Sequence, residues 1–194
     1  MAQDIFDAAC IDSLVRKIFR ERGELDLQHF SIPTYKIRQD YTVVECQIDQ
    51  KTHGKDIRRT IEPIIDKAES MGYSHNLFTA VYEAVLNAYQ HGNKMDPNKK
   101  VTIAYKIGRE KADIVVMDEG GVLDPEFVPF VLHHREGQHT TRFLDFYKFT
   151  GREKPEGNNG TGTSFMHTYV DTVSYFKSPA GGLVVQLTKK APTS

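Results

Sequence analysis

The stretch Leu77–Asn93, LFTAVYEAVLNAYQHGN, constrains this chain more than any other. Leu77, Val81, Val85 and Ala88 recur with helical spacing. Phe78, Tyr82, Leu86 and Tyr89 widen the apolar stripe until most of the helix must be buried. Glu83 and Asn87 nevertheless stand inside that stripe, one turn apart on one face, and His91 continues their row. A carboxylate and an amide on a buried helix cost free energy unless something pairs with them. Two readings follow from the helix alone. Either the pair bonds to neighbouring loops, or it lines a pocket in which the carboxylate meets a water or hydroxyl and the amide oxygen meets a hard cation.

The chain has 194 residues, enough for one well-packed domain. Its formal charge of −1 argues against a broad nucleic-acid surface. No apolar run is long enough to span a bilayer, and the acidic start MAQDIFDAAC lacks the basic and apolar regions of a signal peptide. Cys10 and Cys46 form no metal or redox spacing and read as thiols in a reducing cytoplasm. A cytoplasmic protein is therefore expected.

Before the central helix, Asp4–Arg22 reads as an amphipathic helix closed by Gly23, whose stripe must be buried on this subunit or on a second copy. Residues Leu25–Lys36 read as a linker. Tyr41–Ile48 is the first strand, and Asp56–Met71 a helix in which Pro63 predicts a kink. After the central helix, Val101–Ile107 and Asp113–Met117 form a hairpin. Glu126–Asn159 has weak pattern and the length of a functional lid. Ser164–Asp171 is a helix, and Thr172–Lys177 with Leu183–Lys189 make a closing hairpin. This order predicts an α+β two-layer sandwich: a mixed sheet with helices on one face.

Three further features bear on chemistry. Asp118-Glu119-Gly120-Gly121 follows a strand, which exposes an acceptor with room for a flat ligand beside it. Gly160-Thr161-Gly162-Thr163 opens a helix, where backbone N–H groups and the helix N-terminus suit phosphate oxygens. Arg142, Lys148, Arg152 and Lys154 in the lid offer charge for phosphates. Each alone reads as an ordinary turn, loop or solvated surface. His133, His134 and His139 share the lid, where three imidazoles without a nearby cysteine make a weak case for zinc.

In this order the pieces are far more specific. The sequence resembles the GHKL superfamily of ATPases and kinases, and within it the anti-sigma-factor serine kinases. Glu83-x-x-x-Asn87 is similar to the N box, DEGGVLD at Asp118–Asp124 to the first glycine box, and GTGTSFM at Gly160–Met166 to the second. The resemblance covers roughly residues 41–190, leaving 1–40 as an N-terminal helix and linker, with the lid at about 126–159. It implies ATP and Mg²⁺ as cofactors. Asn87 would bind the metal, Glu83 would act as general base, and Asp118 would accept from the adenine amino group with Gly120 giving space. Gly160, Thr161, Gly162 and Thr163 would wrap the phosphates.

Two departures stand out. Val122 occupies the place of the second glycine of D-x-G-x-G, and Thr163 and Ser164 replace a leucine and a glycine. The resemblance implies a cytoplasmic serine/threonine kinase acting on a protein partner, a sigma factor or its antagonist, with self-association through the N-terminal helix left open. The alternatives are a nucleotide-binding switch without phosphoryl transfer and a plain GHKL-type ATPase. No direct nucleic-acid or membrane contact is implied. A sensor histidine kinase is disfavoured, because the residues before Tyr41 are too few for a phosphoacceptor hairpin.

Overall fold

The computed structural model describes residues 8–29, 32–155 and 158–192. Helix α1 spans Ala8–Glu21. The expected start of this helix, Asp4–Asp7, lies outside the described residues. Strand β1 (Leu25–Asp26) is followed by β2 (Thr42–Cys46), α2 (His53–Glu69), α3 (Asn76–Asn87), β3 (Val101–Ile107) and β4 (Lys111–Met117). The second half contributes β5 (Val122–Leu123), α4 (Phe127–Arg135), α5 (Phe146–Thr150), α6 (Gly162–Tyr169), β6 (Thr172–Lys177) and β7 (Leu183–Lys190).

The main sheet has the order β2-β3-β4-β7-β6, with β1 and β5 forming a separate pair. It carries helices on one face, as an α+β two-layer fold should. Its ladders are antiparallel throughout, where a mixed sheet was expected. The cause lies in the connections. Two consecutive helices, α2 and α3, reverse the chain twice between β2 and β3, and the closing hairpin inserts β7 beside β4. A parallel contact occurs only as the bridge from Thr34 to Lys177 among the described residues.

The principal core joins the sheet to the buried stripes of α2 (Ile57, Ile61, Ile64, Ile65) and α3 (Leu77, Val81, Val85), with Met166 from α6. Burying side chains of this size contributes about 1.5–3 kcal/mol each. Pro63 sits on the exposed side of α2, which runs through it. On the other face of the sheet, Ala104, Val115, Met117 and Val184 are covered by Tyr35, Tyr41 and Phe176. The expected linker at Leu25–Lys36 is thus partly ordered by pairing. Its start pairs with β5, and the Tyr35 N–H donates to the Lys177 carbonyl at 2.8 Å.

Candidate functional site

The α-helical ladder of α3 ends at Asn87 and continues as one π turn, Ala88–Gly92. The Asn93 N–H donates to the Ala88 carbonyl, five residues back, at 2.7 Å. Single π turns of this kind recur at functional sites because they re-aim the residues that follow. Here Gln90, His91 and Gly92 join Glu83 and Asn87 on the wall of one cleft. Asp118, Val122, Leu123 and Asp124 line the same cleft, as do Phe127, Phe146, Tyr147, Asn158 and Asn159. Gly160, Gly162 and Thr163 close it at the head of α6.

Among the described residues, neither the Glu83 nor the Asn87 side chain bonds to a neighbouring loop; both face the cleft. Burial raises the Glu83 carboxyl above the usual carboxylate range. A Cβ built on Gly162 would collide with Glu83 Oε2, so only glycine lets the carboxylate approach the start of α6 so closely. The first turn of α6 has no side-chain cap. Its leading N–H groups therefore have no partner within the helix and favour an anion.

Asp118 is 4% exposed and accepts through Oδ1 from the N–H groups of Gly120 at 2.8 Å and Leu183 at 3.1 Å. Burial pushes its carboxyl up to about 6 against those two stabilising bonds. Three glycines crowd it. A Cβ at Gly92 would collide with Asp118 Cγ, one at Gly120 would stand 2.9 Å from Oδ1, and one at Gly182 would collide with the Asp118 carbonyl. Oδ2 accepts no hydrogen bond among the described residues, which leaves one acceptor at the bottom of a cleft that a planar ring could enter.

A family model described as the histidine kinase-like ATPase domain matches residues 50–189. The chain belongs to this family. Over 137 residues it is 31% identical to the serine-protein kinase RsbW of Bacillus licheniformis, covering 69% of this chain and 75% of the relative. Over 72 residues it is 36% identical to the serine-protein kinase RsbW of Bacillus subtilis, covering 35% and 43%. No helix of the described residues is long and apolar enough to cross a membrane.

Within this histidine kinase-like ATPase fold, the sequence-predicted residues Glu83, Asn87, Asp118, Gly160, Gly162 and Thr163 all line the one cleft. Gly120 and Thr161 do not line it. Gly120 supports Asp118 from behind, and Thr161 precedes α6 without capping it. The four lid cations lie off the wall. Arg152 pairs with Asp124, which itself lines the cleft, and Lys154 pairs with Asp145 of the lid at 2.8 Å. The imidazoles form no metal group among the described residues. His133 packs on Phe149, whereas His134 stacks with His139 and is held through both ring nitrogens by the Phe130 carbonyl and Ser164 Oγ.

Sequence reasoning missed Gly92, Gly182, Asn93 and Lys94. Asn93 is fully buried and staples two loops, donating to the Lys100 carbonyl at 2.9 Å and accepting from the Glu119 N–H at 2.8 Å. Lys94 is on the cleft wall, and it and Met95 adopt left-handed backbone (φ 56° and 57°). The signals were present in HGNKM and in the glycine pair of the last hairpin.

Proposed function

We propose that this chain binds ATP with Mg²⁺ and phosphorylates a serine or threonine of a protein partner, as an anti-sigma-type regulator in the cytoplasm. The observation that carries the reading is the meeting of Glu83 with Gly162 at the uncapped start of α6, in the same cleft as the glycine-enclosed Asp118. Asp118 Oδ2 would read the adenine amino group, and Gly160, Gly162 and Thr163 would face the phosphates. Asn87, whose amide has no hydrogen-bond partner among the described residues and lines the cleft, fits a hard cation that takes oxygen ligands and keeps several waters. When bound, Mg²⁺ would neutralise phosphate charge there. Glu83 would hold the incoming hydroxyl and take its proton. Its raised proton affinity suits that task at neutral pH.

The Bacillus relatives are serine-protein kinases by name, which supports a protein acceptor. We assign residues 41–190 to the catalytic domain and 1–40 to an added element. The sigma factor or its antagonist is the partner class that the family reading favours. The test is incubation with γ-labelled ATP, Mg²⁺ and a lysate of the source organism. Label on a partner serine or threonine, lost in Glu83→Gln, supports transfer. ATP-dependent partner capture without label supports the second reading, a switch without transfer, which the strand-paired Val122 favours. Release of inorganic phosphate alone supports a plain ATPase.

A further inference from the structure

The arm formed by α1, β1 and the residues up to His29 makes four separate contacts, two at α4 and α5 beside the cleft and two on residues that line it. First, Arg20 Nε donates to Glu126 Oε1 at 2.6 Å. Glu126 immediately precedes α4 and is 1% exposed, and its Oε2 has no partner among the described residues. A sealed carboxylate with one arginine holds that arginine firmly, because parting them leaves a bare buried charge. Second, the Arg16 guanidinium lies 3.7 Å over the Phe149 ring, and its Nη1 donates to the Phe149 carbonyl at 2.9 Å. Phe149 in turn packs on Phe130, which ties α1 to both helices beside the cleft, α4 and α5. Third, β1 pairs with β5, Leu25 opposite Leu123 and Asp26 opposite Val122, and the Leu27 N–H donates to the Gly121 carbonyl at 3.0 Å. Fourth, Lys94 Nζ donates to Glu24 at 3.2 Å.

All four contacts join an arm outside the family-matched residues 50–189 to residues within them. They also account for Val122. Glycine at that position would leave the turn after Asp118 free to move, whereas a β-branched residue suits a strand position. Here the position is a strand position only because the arm supplies its partner.

We infer that the arm is the latch of the nucleotide site: through Arg20 and the β1–β5 pair it fixes residues 121–126, the connection from Asp118 to α4 that would act as a hinge, and sets how fast nucleotide leaves. The inference rests on the nucleotide reading above. Arg20 is a positioning residue, acting through Glu126 on the hinge.

The experiment is a stopped-flow chase of fluorescent mant-ADP with excess ATP and Mg²⁺ on the full chain. Arg20→Ala and Glu126→Gln should each speed release by about tenfold. The double variant should be no faster than the faster single, because both remove one interaction. Arg20→Lys should recover part of the loss. A second arm of the test uses Asp26→Cys with Val122→Cys, which face each other across the pair. Oxidation should slow release several-fold and reduction restore it, within the same folded protein. Release that stays within twofold in Arg20→Ala and on oxidation overturns the latch, whatever happens to the melting temperature. Wild-type protein that never binds mant-ADP overturns both the latch and the nucleotide reading; binding with unaltered release overturns the latch alone.

Discussion

The two sides of the cleft are held by different means. Around Asp118 the structure depends on close backbone approach. Gly92, Gly120 and Gly182 sit where any side chain would collide with the carboxylate or its carbonyl, and the buried Asn93 ties the adjoining loops together. Around α4 and α5 it depends on polar side chains reaching across: Arg152 to Asp124, Arg20 to Glu126, Lys154 to Asp145, and Ser164 to His134 and Leu144. Close-packed backbone yields little, whereas a partly exposed pair such as Arg152–Asp124 contributes only about 0.2–1 kcal/mol and exchanges readily with water. Arg20–Glu126 and Ser164–His134 are firmer, because Glu126, Ser164 and His134 are buried. One side is thus rigid and the other more adjustable.

The sharpest way to break this contrast is a methyl group. Gly182→Ala should push on the Asp118 backbone, cost about 2–3 kcal/mol and lower ATP affinity by about a hundredfold. Gly137→Ala, just after α4 and facing open space at φ +79°, should cost only about 1 kcal/mol and leave affinity within a few-fold. Urea melts and calorimetric titration of both variants check this.

Asp118→Asn should also weaken ATP by about a hundredfold, since an amide can present N–H₂ where an acceptor is needed. Yet it should stabilise the free protein. The Asp118 carboxyl, normally near 3.8, titrates at about 6 when folded, so the native state binds its proton more tightly than the unfolded chain does. This group's contribution to stability is full below about pH 4 and is lost as pH rises through about 6. The amide removes that loss, with an expected gain of roughly 1–3 kcal/mol at pH 7. For the wild type, ATP affinity should fall as pH drops through about 6.

On the adjustable side the effects should shrink. Ser164→Ala removes a hydroxyl that accepts from the Leu144 N–H at 2.8 Å and bonds His134 at 2.8 Å. It should cost about 1–3 kcal/mol with less than a tenfold change in ATP affinity. Arg152→Ala opens a partly exposed pair and should cost about 0.2–1 kcal/mol in a thermal melt.

The same contrast explains what could be read from the sequence. Glu83 and Asn87 were legible because polar residues inside an apolar helical stripe need a reason, and Asp118 because it ends a strand before glycines. Helix α4 was not legible. Pro125 and Pro129 look like breakers, but Pro129 occupies the first turn, where its missing N–H has no helical partner to lose. Helix α5 is short, and its signals were a cap at Asp145, which accepts from the Tyr147 and Lys148 N–H groups, and Gly151 at φ +68°. Strands β1 and β5 have two residues each and exist only through a partner about a hundred residues away, which no local window contains. Ser164 looked like a departure from a motif. Its reason is the buried bond to His134, which connects the second glycine segment to the lid.

The most direct test of the central claim, that Glu83 and Asn87 serve one nucleotide in two roles, is a calorimetric titration of ATP with and without Mg²⁺. It compares the wild type with Asn87→Ala and Glu83→Gln. Asn87→Ala should lose the affinity that Mg²⁺ adds, whereas Glu83→Gln should keep it within about threefold while failing to transfer phosphate. Equal loss of Mg²⁺-dependent affinity in both variants, or no effect of Mg²⁺ on the wild type, would contradict the account.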